Sequence, residues 1–381
     1  MTISPQLIGR YEIPGARGFG SGSGEAWLNR TGPIPQLLIN GPDALFVHEL
    51  GQDVHLRATF PRPLPEKKAR GIGVAPDCSF AVFTTDTAYI AVAPDGTHLW
   101  QHPHIDWGRC RHGYVDFSLH GPDHTIRTWL RLPSEAPDRT LFHTLDEAGH
   151  MVTRHELPIA GNVQQVSLQW RPDGDLGSVH VSGRASYRAT LASGRIFLGE
   201  RVDVKYVHAV APSRRGIMTE DGHTPELRWH SFPSYEETVT LRIDDFPSPG
   251  TGDCTVHFKP WLMFAGGYLD EDTALVQLSD AYDTARCYGN DAWREYSHWL
   301  VDLATGTVRG RIAYPEWEED SACPLGDGTW LTRERNDTLC RWTARGTASD
   351  APAAGGDGGA GTGVRAAPRS SPRGKGRRHR R

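Results

Sequence analysis

The chain has 381 residues, 38% of them hydrophobic and 23% charged, with a net charge of −5, a balance that suits a packed core rather than a fibrous or disordered chain. No stretch approaches the ~20 consecutive apolar residues of a membrane helix, and the N-terminus has no basic segment followed by an apolar one. Six cysteines without a CxxC pair argue against a disulfide framework or a cysteine zinc site and predict reduced, mostly buried thiols in a cytoplasmic protein.

In chain order, residues 1–35 read as an N-terminal segment, and one short pattern then recurs: a β-rich run, a Pro-Asp or Asp-Gly turn, and another β-rich run. The turns are Pro42-Asp43, Pro76-Asp77-Cys78, Pro94-Asp95-Gly96, Pro122-Asp123-His124, Pro172-Asp173-Gly174, Asp221-Gly222 and Asp327-Gly328. Asp closes such turns with its side chain, Gly supplies positive φ and Pro fixes the entry angle. The flanking runs, such as Phe80–Phe83, Ala88–Val92, Val166–Trp170 and Thr329–Arg333, are alternating or β-branched. Helical periodicity is weak, and 27 Pro with 42 Gly would interrupt long helices. The chain is therefore expected to be all-β.

The best-defined unit, 71–101, divides into four short strands (71–75, 79–84, 88–92 and 97–101), which is the content of one propeller blade. Similar units begin near 36, 71, 114, 164, 207, 258 and 321. Seven units over 36–345 average about 44 residues, within the usual range of blade repeats. The last unit is one strand short, and the segment Leu7–Ile13 is available to complete it and close the ring.

With the units placed, the sequence resembles seven-bladed β-propellers of the WD-repeat and quinoprotein-like groups. Tyr89-Ile-Ala-Val-Ala-Pro-Asp-Gly-Thr-His-Leu-Trp100 is similar to the quinoprotein-type repeat, and Trp299–Arg309 follows it without the closing Trp. Trp229 and Trp342 end comparable runs. The resemblance implies a single propeller over 36–345 but no particular activity. The Trp-Asp dipeptide is absent, as is a pair of adjacent cysteines, and no quinone or other cofactor is expected.

In a four-stranded blade (A to D), the B–C and D-to-A connections share one rim, and longer loops there suit binding. One such B–C loop would carry Trp293, Arg294 and Tyr296. The neighbouring D-to-A connection carries Glu316, Trp317, Glu318 and Glu319. Trp, Tyr and Arg are residues that anchor interfaces, and paired carboxylates serve acid–base chemistry on sugars or hold cations. Histidines between His102 and His124, with Asp106 and Cys110, form a second candidate, for a transition metal. Strand assignment separates His120 and His124 from His102, His104 and His112, so no metal site is assigned.

Eight Lys or Arg and two Asp give residues 346–381 a net charge of +6, so residues 1–345 carry −11 against the total of −5. That tail lacks Leu, Ile, Phe, Met, Trp and Tyr and is expected to be disordered. Arg373, Lys375, Arg377, Arg378, Arg380 and Arg381 form a basic end able to bind nucleic acid. The expectation is a monomeric, non-catalytic propeller that recognises a protein partner. A carbohydrate-directed or other small-molecule enzyme using rim carboxylates, and a nucleic-acid-tethered propeller, are the alternatives.

Overall fold

The computed structural model describes residues 1–16, 26–30, 34–64, 71–105, 113–120, 124–136, 138–159, 166–220, 226–247, 259–281, 294–315, 322–334 and 337–344. Residues 1–346 form one compact unit and 347–381 a second, which lies outside the described residues. The first unit is a seven-bladed β-propeller. It opens with β1 (Thr2–Ile3) and β2 (Gln6–Glu12), and blade 1 follows as β3 (Ala26–Asn29), β4 (Gln36–Asn40), β5 (Ala44–Leu50) and β6 (Val54–Pro61).

Blade 2 comprises β7 (Gly71–Val74), β8 (Ala81–Thr84), β9 (Ala88–Val92) and β10 (His98–Pro103). Blade 3 comprises β11 (Tyr114–His120), β12 (Thr125–Leu132), β13 (Thr140–Leu145) and β14 (Met151–Leu157). Blade 4 comprises β15 (Val166–Trp170), β16 (Leu176–Val181), β17 (Ala185–Ala192) and β18 (Arg195–Val202). Blade 5 comprises β19 (Tyr206–Val210), β20 (Gly216–Glu220), β21 (Glu226–Ser231) and β22 (Glu237–Arg242). Blade 6 comprises β23 (Lys259–Tyr268), β24 (Thr273–Ala281), β25 (Arg294–Asp302) and β26 (Thr307–Ile312). Blade 7 comprises β27 (Ala322–Pro324), β28 (Thr329–Arg333) and β29 (Thr338–Thr343), with β2 as its outermost strand.

Blade 1 begins at Ala26 rather than near 36. The pattern missed β3 because its four residues follow a Gly-Ser run with no turn signal, and only the pairing of Ala26 with Ile39 through Asn29 with Gln36 makes them a strand. The N-terminal dozen residues join two blades. β2 pairs antiparallel with β29, from Gln6 opposite Thr343 to Glu12 opposite Thr338. β1 adds a fifth, parallel strand to blade 6.

The core is divided among the seams between blades. A blade buries both faces of its middle strands, so β8, β9 and β16 are buried at every residue, and β9, Ala88–Val92, reads as a continuous apolar run rather than strict alternation. One apolar cluster fills each seam: Leu45, Phe60, Phe83 and Ile90 join blades 1 and 2, for example, and Ile13, Leu37, Leu331 and Leu339 join blades 7 and 1. Among the described cysteines, Cys78 and Cys340 are buried, Cys323 is partly buried, and all three are free thiols.

Left-handed turn residues serve these seams. Cys78, His124, Gly174 and Arg214 hold the same place in the A–B turns of blades 2 to 5, each with positive φ. In the C–D turns, positive-φ Gly96, Gly149, Gly194 and Gly306 lie against Pro61, Trp100, Thr153 and Val239, each from the outer strand of the preceding blade. The repeated turn thus faces the preceding blade as well as reversing the chain, most closely at Gly149. Pro42-Asp43 departs from this, lying in the B–C connection between β4 and β5.

Candidate functional site

The connections fall on two rims, called upper (B–C and D-to-A) and lower (A–B and C–D). Trp293, Glu316, Trp317, Glu318 and Glu319 lie outside the described residues. Arg294 and Tyr296 belong to strand β25 and not to a loop: Arg294 pairs with Ala281 and Tyr296 with Ser279, continuing an unbroken ladder from Thr273 opposite Asp302. The ladder extends because β24 runs on to Ala281 and pairs with the run Arg294–Asp302 residue for residue. Both are therefore at the upper-rim end of blade 6, in its third strand.

The second connection leaves β26 at Ala313 and Tyr314, and its root is well anchored. The Tyr314 hydroxyl accepts a hydrogen bond from Nε1 of Trp330 at 2.8 Å and is bonded to Nδ1 of His298 at 2.9 Å. Its ring packs edge-on against Trp342 and His298, with centroids 5.1 and 5.5 Å away. Trp342 is held in turn by Nε1 donating to Thr332 Oγ1 at 2.8 Å. Across the same seam, the Ala322 amide donates to Gln277 Oε1 at 3.1 Å. The bonds of Trp342 and Ala322 are buried and those of Tyr314 partly so, and charge-free hydrogen bonds shielded from water are costly to leave unmade and so fix geometry. Tyr314, His298 and Trp330 were not singled out from the sequence. The only local signal was an aromatic just before an acidic run.

The lower rim carries a different chemistry. In its turns Asp77, Asp95, Asp173, Asp270 and Asp327 each accept, through Oδ1, the backbone N–H two residues on, at 2.9–3.1 Å. Hydrogen bonds from Thr97 hold the Asp95 carboxyl below its usual range, and Arg309 does the same for Asp302. These carboxylates are turn acceptors first. Asp116 stands apart, on the inner strand β11. Tyr114 and Trp170 donate to its Oδ2 and its neighbour Phe117 to Oδ1, all at 2.8 Å, and burial pushes its carboxyl up.

The histidine-rich stretch does not gather. His102 lies within β10 rather than in the connection after it, because its pairing with Tyr89 extends the strand to Pro103. Its Nε2 meets Nδ1 of His143 in blade 3 at 2.8 Å, and His104 packs edge-on against Tyr89. His120 ends β11 and His124 sits in the lower-rim turn. Asp106, Cys110 and His112 lie outside the described residues. Among the described residues no group of three or more His, Cys, Asp or Glu is placed to hold a metal ion, and no helix is long and apolar enough to cross a membrane.

Other imidazoles line the seams. His155 is bonded to Thr153 and Thr144 hydroxyls at 2.8 and 3.2 Å and stacks on Trp129. His180 is bonded to Ser186 at 2.9 Å. Burial lowers His143, His155 and His180 each to about 4, with His102 adding to the effect on His143 and His208 to that on His180. They are neutral packing groups at neutral pH.

No protein-family model and no curated protein matches the sequence. Among solved structures the chain is similar to the WD40 domain of Neurospora crassa Pan2, with a TM-score of 0.50 at 10% identity over 90% of this chain and 96% of that one. It is similar also to the β-propeller domain of Cps50 (Swd1) from Myceliophteria thermophila, with a TM-score of 0.50 at 9% identity over 89% and 99% of the two chains. At such identities the likeness concerns architecture. In fold the chain is a WD-repeat-like seven-bladed β-propeller that lacks the Trp-Asp dipeptide of that repeat.

Proposed function

We propose that the protein is a non-catalytic recognition platform, acting as a cytoplasmic monomer, that binds a protein partner on the upper rim of blades 6 and 7. The observation that carries this reading is the anchoring of that rim. The B–C connection of blade 6 leaves a paired ladder at Ala281 and returns to it at Arg294. The next connection is rooted at Tyr314 by His298 and Trp330. Variable connections on a fixed scaffold are where propellers and other rigid folds present binding residues. Trp293, Trp317, Tyr296 and Arg294 would supply the anchors. Glu316, Glu318 and Glu319, on a body of net −11, would select a basic partner and speed its encounter.

The test is affinity capture on the chain lacking residues 346–381, followed by direct binding with the purified partner. A double variant, Trp293→Ala with Trp317→Ala, should weaken binding at least about tenfold without changing the melting temperature, and added salt should slow association. A captured protein that binds both forms equally would refute the assignment of the rim.

A second reading rests on the tail, where six of the last nine residues are Lys or Arg. Under it, the intact chain binds duplex DNA or RNA with an affinity falling steeply with salt, and the shortened chain does not. Equal binding by the two forms would rule it out.

A further inference from the structure

Among the described residues, blade 6 is the one blade with a fifth strand. β1 lies parallel to β26, with Thr2 opposite Arg311 and Ile3 opposite Ile312. The Arg311 amide donates to the Met1 carbonyl at 3.1 Å, and the Ala313 amide donates to the Ile3 carbonyl at 2.9 Å. Ala313 is the first residue after β26 and Tyr314 the second, so this last bond is made at the root of the upper-rim connection. The Ile3 side chain packs on the cluster of Leu269, Ile312, Trp330 and Trp342 that Tyr314 also joins.

Gly310 makes room for the added strand. A Cβ at that position would stand 2.6 Å from the Met1 carbonyl oxygen, closer than any real contact, and the obstructing atom is backbone. Closure of the ring does not need β1, because β2 completes blade 7. A two-residue strand on an outer edge, with Met1 exposed, belongs to the part of a structure that opens at low free-energy cost.

We propose that β1 is a detachable brace for the end of β26 and for Ala313 and Tyr314, which follow it. Docked, it fixes the root at Ala313 and Tyr314. When β1 is undocked, that root loosens while the ring stays closed. Its consequence for binding rests on the recognition reading above, since it would make the upper rim responsive to whether β1 is docked. The brace itself is measured without a partner.

The experiment is residue-resolved amide exchange on the full chain, on a chain starting at Ser4, and on Gly310→Ala. The expected result is about five- to tenfold faster exchange at Arg311 and Ala313, the two amides that donate to β1, in both altered forms, the equivalent of one lost backbone hydrogen bond at each. Protection in β28 and β29 should be retained. Unchanged exchange at Arg311 and Ala313 in the chain starting at Ser4 would overturn the proposal. So would loss of protection throughout blade 7, because β1 would then belong to ring closure. Should Gly310→Ala fail to fold, the truncated chain decides alone. A propeller with no partner at the upper rim would sink the recognition reading and leave the exchange result intact.

Discussion

Gly149 and Gly174 hold similar left-handed backbone, with φ of +82 and +84, but face different neighbours. A Cβ on Gly149 would fall 2.6 Å from Trp100 Cβ, whereas one on Gly174 would meet only the Leu119 carbonyl at 3.4 Å. Both substitutions to Ala incur the left-handed cost of about 1–2 kcal/mol. Only Gly149→Ala also overpacks a seam, which adds about 1–3 kcal/mol. Urea denaturation should therefore find Gly149→Ala the more destabilised of the two, and equal losses would mean that Trp100 yields freely. Cys78, His124 and Arg214 accept the same backbone without being glycine. For Cys78 the return is visible: its thiol is buried in the seam of blades 1 and 2 and accepts from Gln36 Nε2 at 3.2 Å.

At the scale of the strand, the outer edges are the exposed part of a propeller, and here each carries a defect in register. The third and fourth strands of every blade slip by a residue, at Arg57, Leu99, Val152, Thr238, Arg309 and Ile8 in six blades and opposite Arg188 in blade 4. Bulges bend an edge away from intermolecular pairing. They also account for exposed Ile8, Leu99 and Val152, which are the extra residues of their bulges. β2 carries such a bulge while covering β29, so its loss would uncover an edge strand, six residues long, that pairs with β28 without a bulge. Removing residues 1–12 should lower the melting temperature by at least ~5 °C and produce concentration-dependent association in sedimentation. A monomer with an unchanged melting temperature would show that blade 7 holds with three strands.

At the scale of the whole ring, stability is distributed over seams that hold neutral imidazoles. His143, His155 and His180 titrate near 4 when folded, against about 6.5 in the unfolded chain. Between these values the unfolded state binds more protons, so stability is fully present above pH 6.5 and declines as the pH falls towards 4. Below 4 these groups add no further slope. Chemical denaturation across this range should show the decline, and His155→Gln should flatten it by up to ~1.4 kcal/mol per pH unit. An unchanged slope would mean that His155 is already protonated in the folded ring or never gains a proton on unfolding.

Class, turn positions and most strand centres are legible along the chain because each depends on neighbours in sequence. A Pro-Asp-Gly run specifies its own backbone, and runs such as Ala88–Val92 declare themselves strands buried on both faces. The all-β propeller with four-stranded blades follows from counting those units. Three features depended on the tertiary structure. β3 is a strand only because Gln36–Asn40 lies beside it. Arg294 and Tyr296 leave the loop for β25 only because β24 extends the ladder to meet them. Tyr314 becomes the root of the upper-rim connection only when His298 and Trp330, sixteen residues before and after it, are brought to its hydroxyl. Composition alone determined the charge of the body and of the tail. Pairing across seams decided which polar groups meet, because those contacts join residues of neighbouring blades whose separation in sequence carries no local signal.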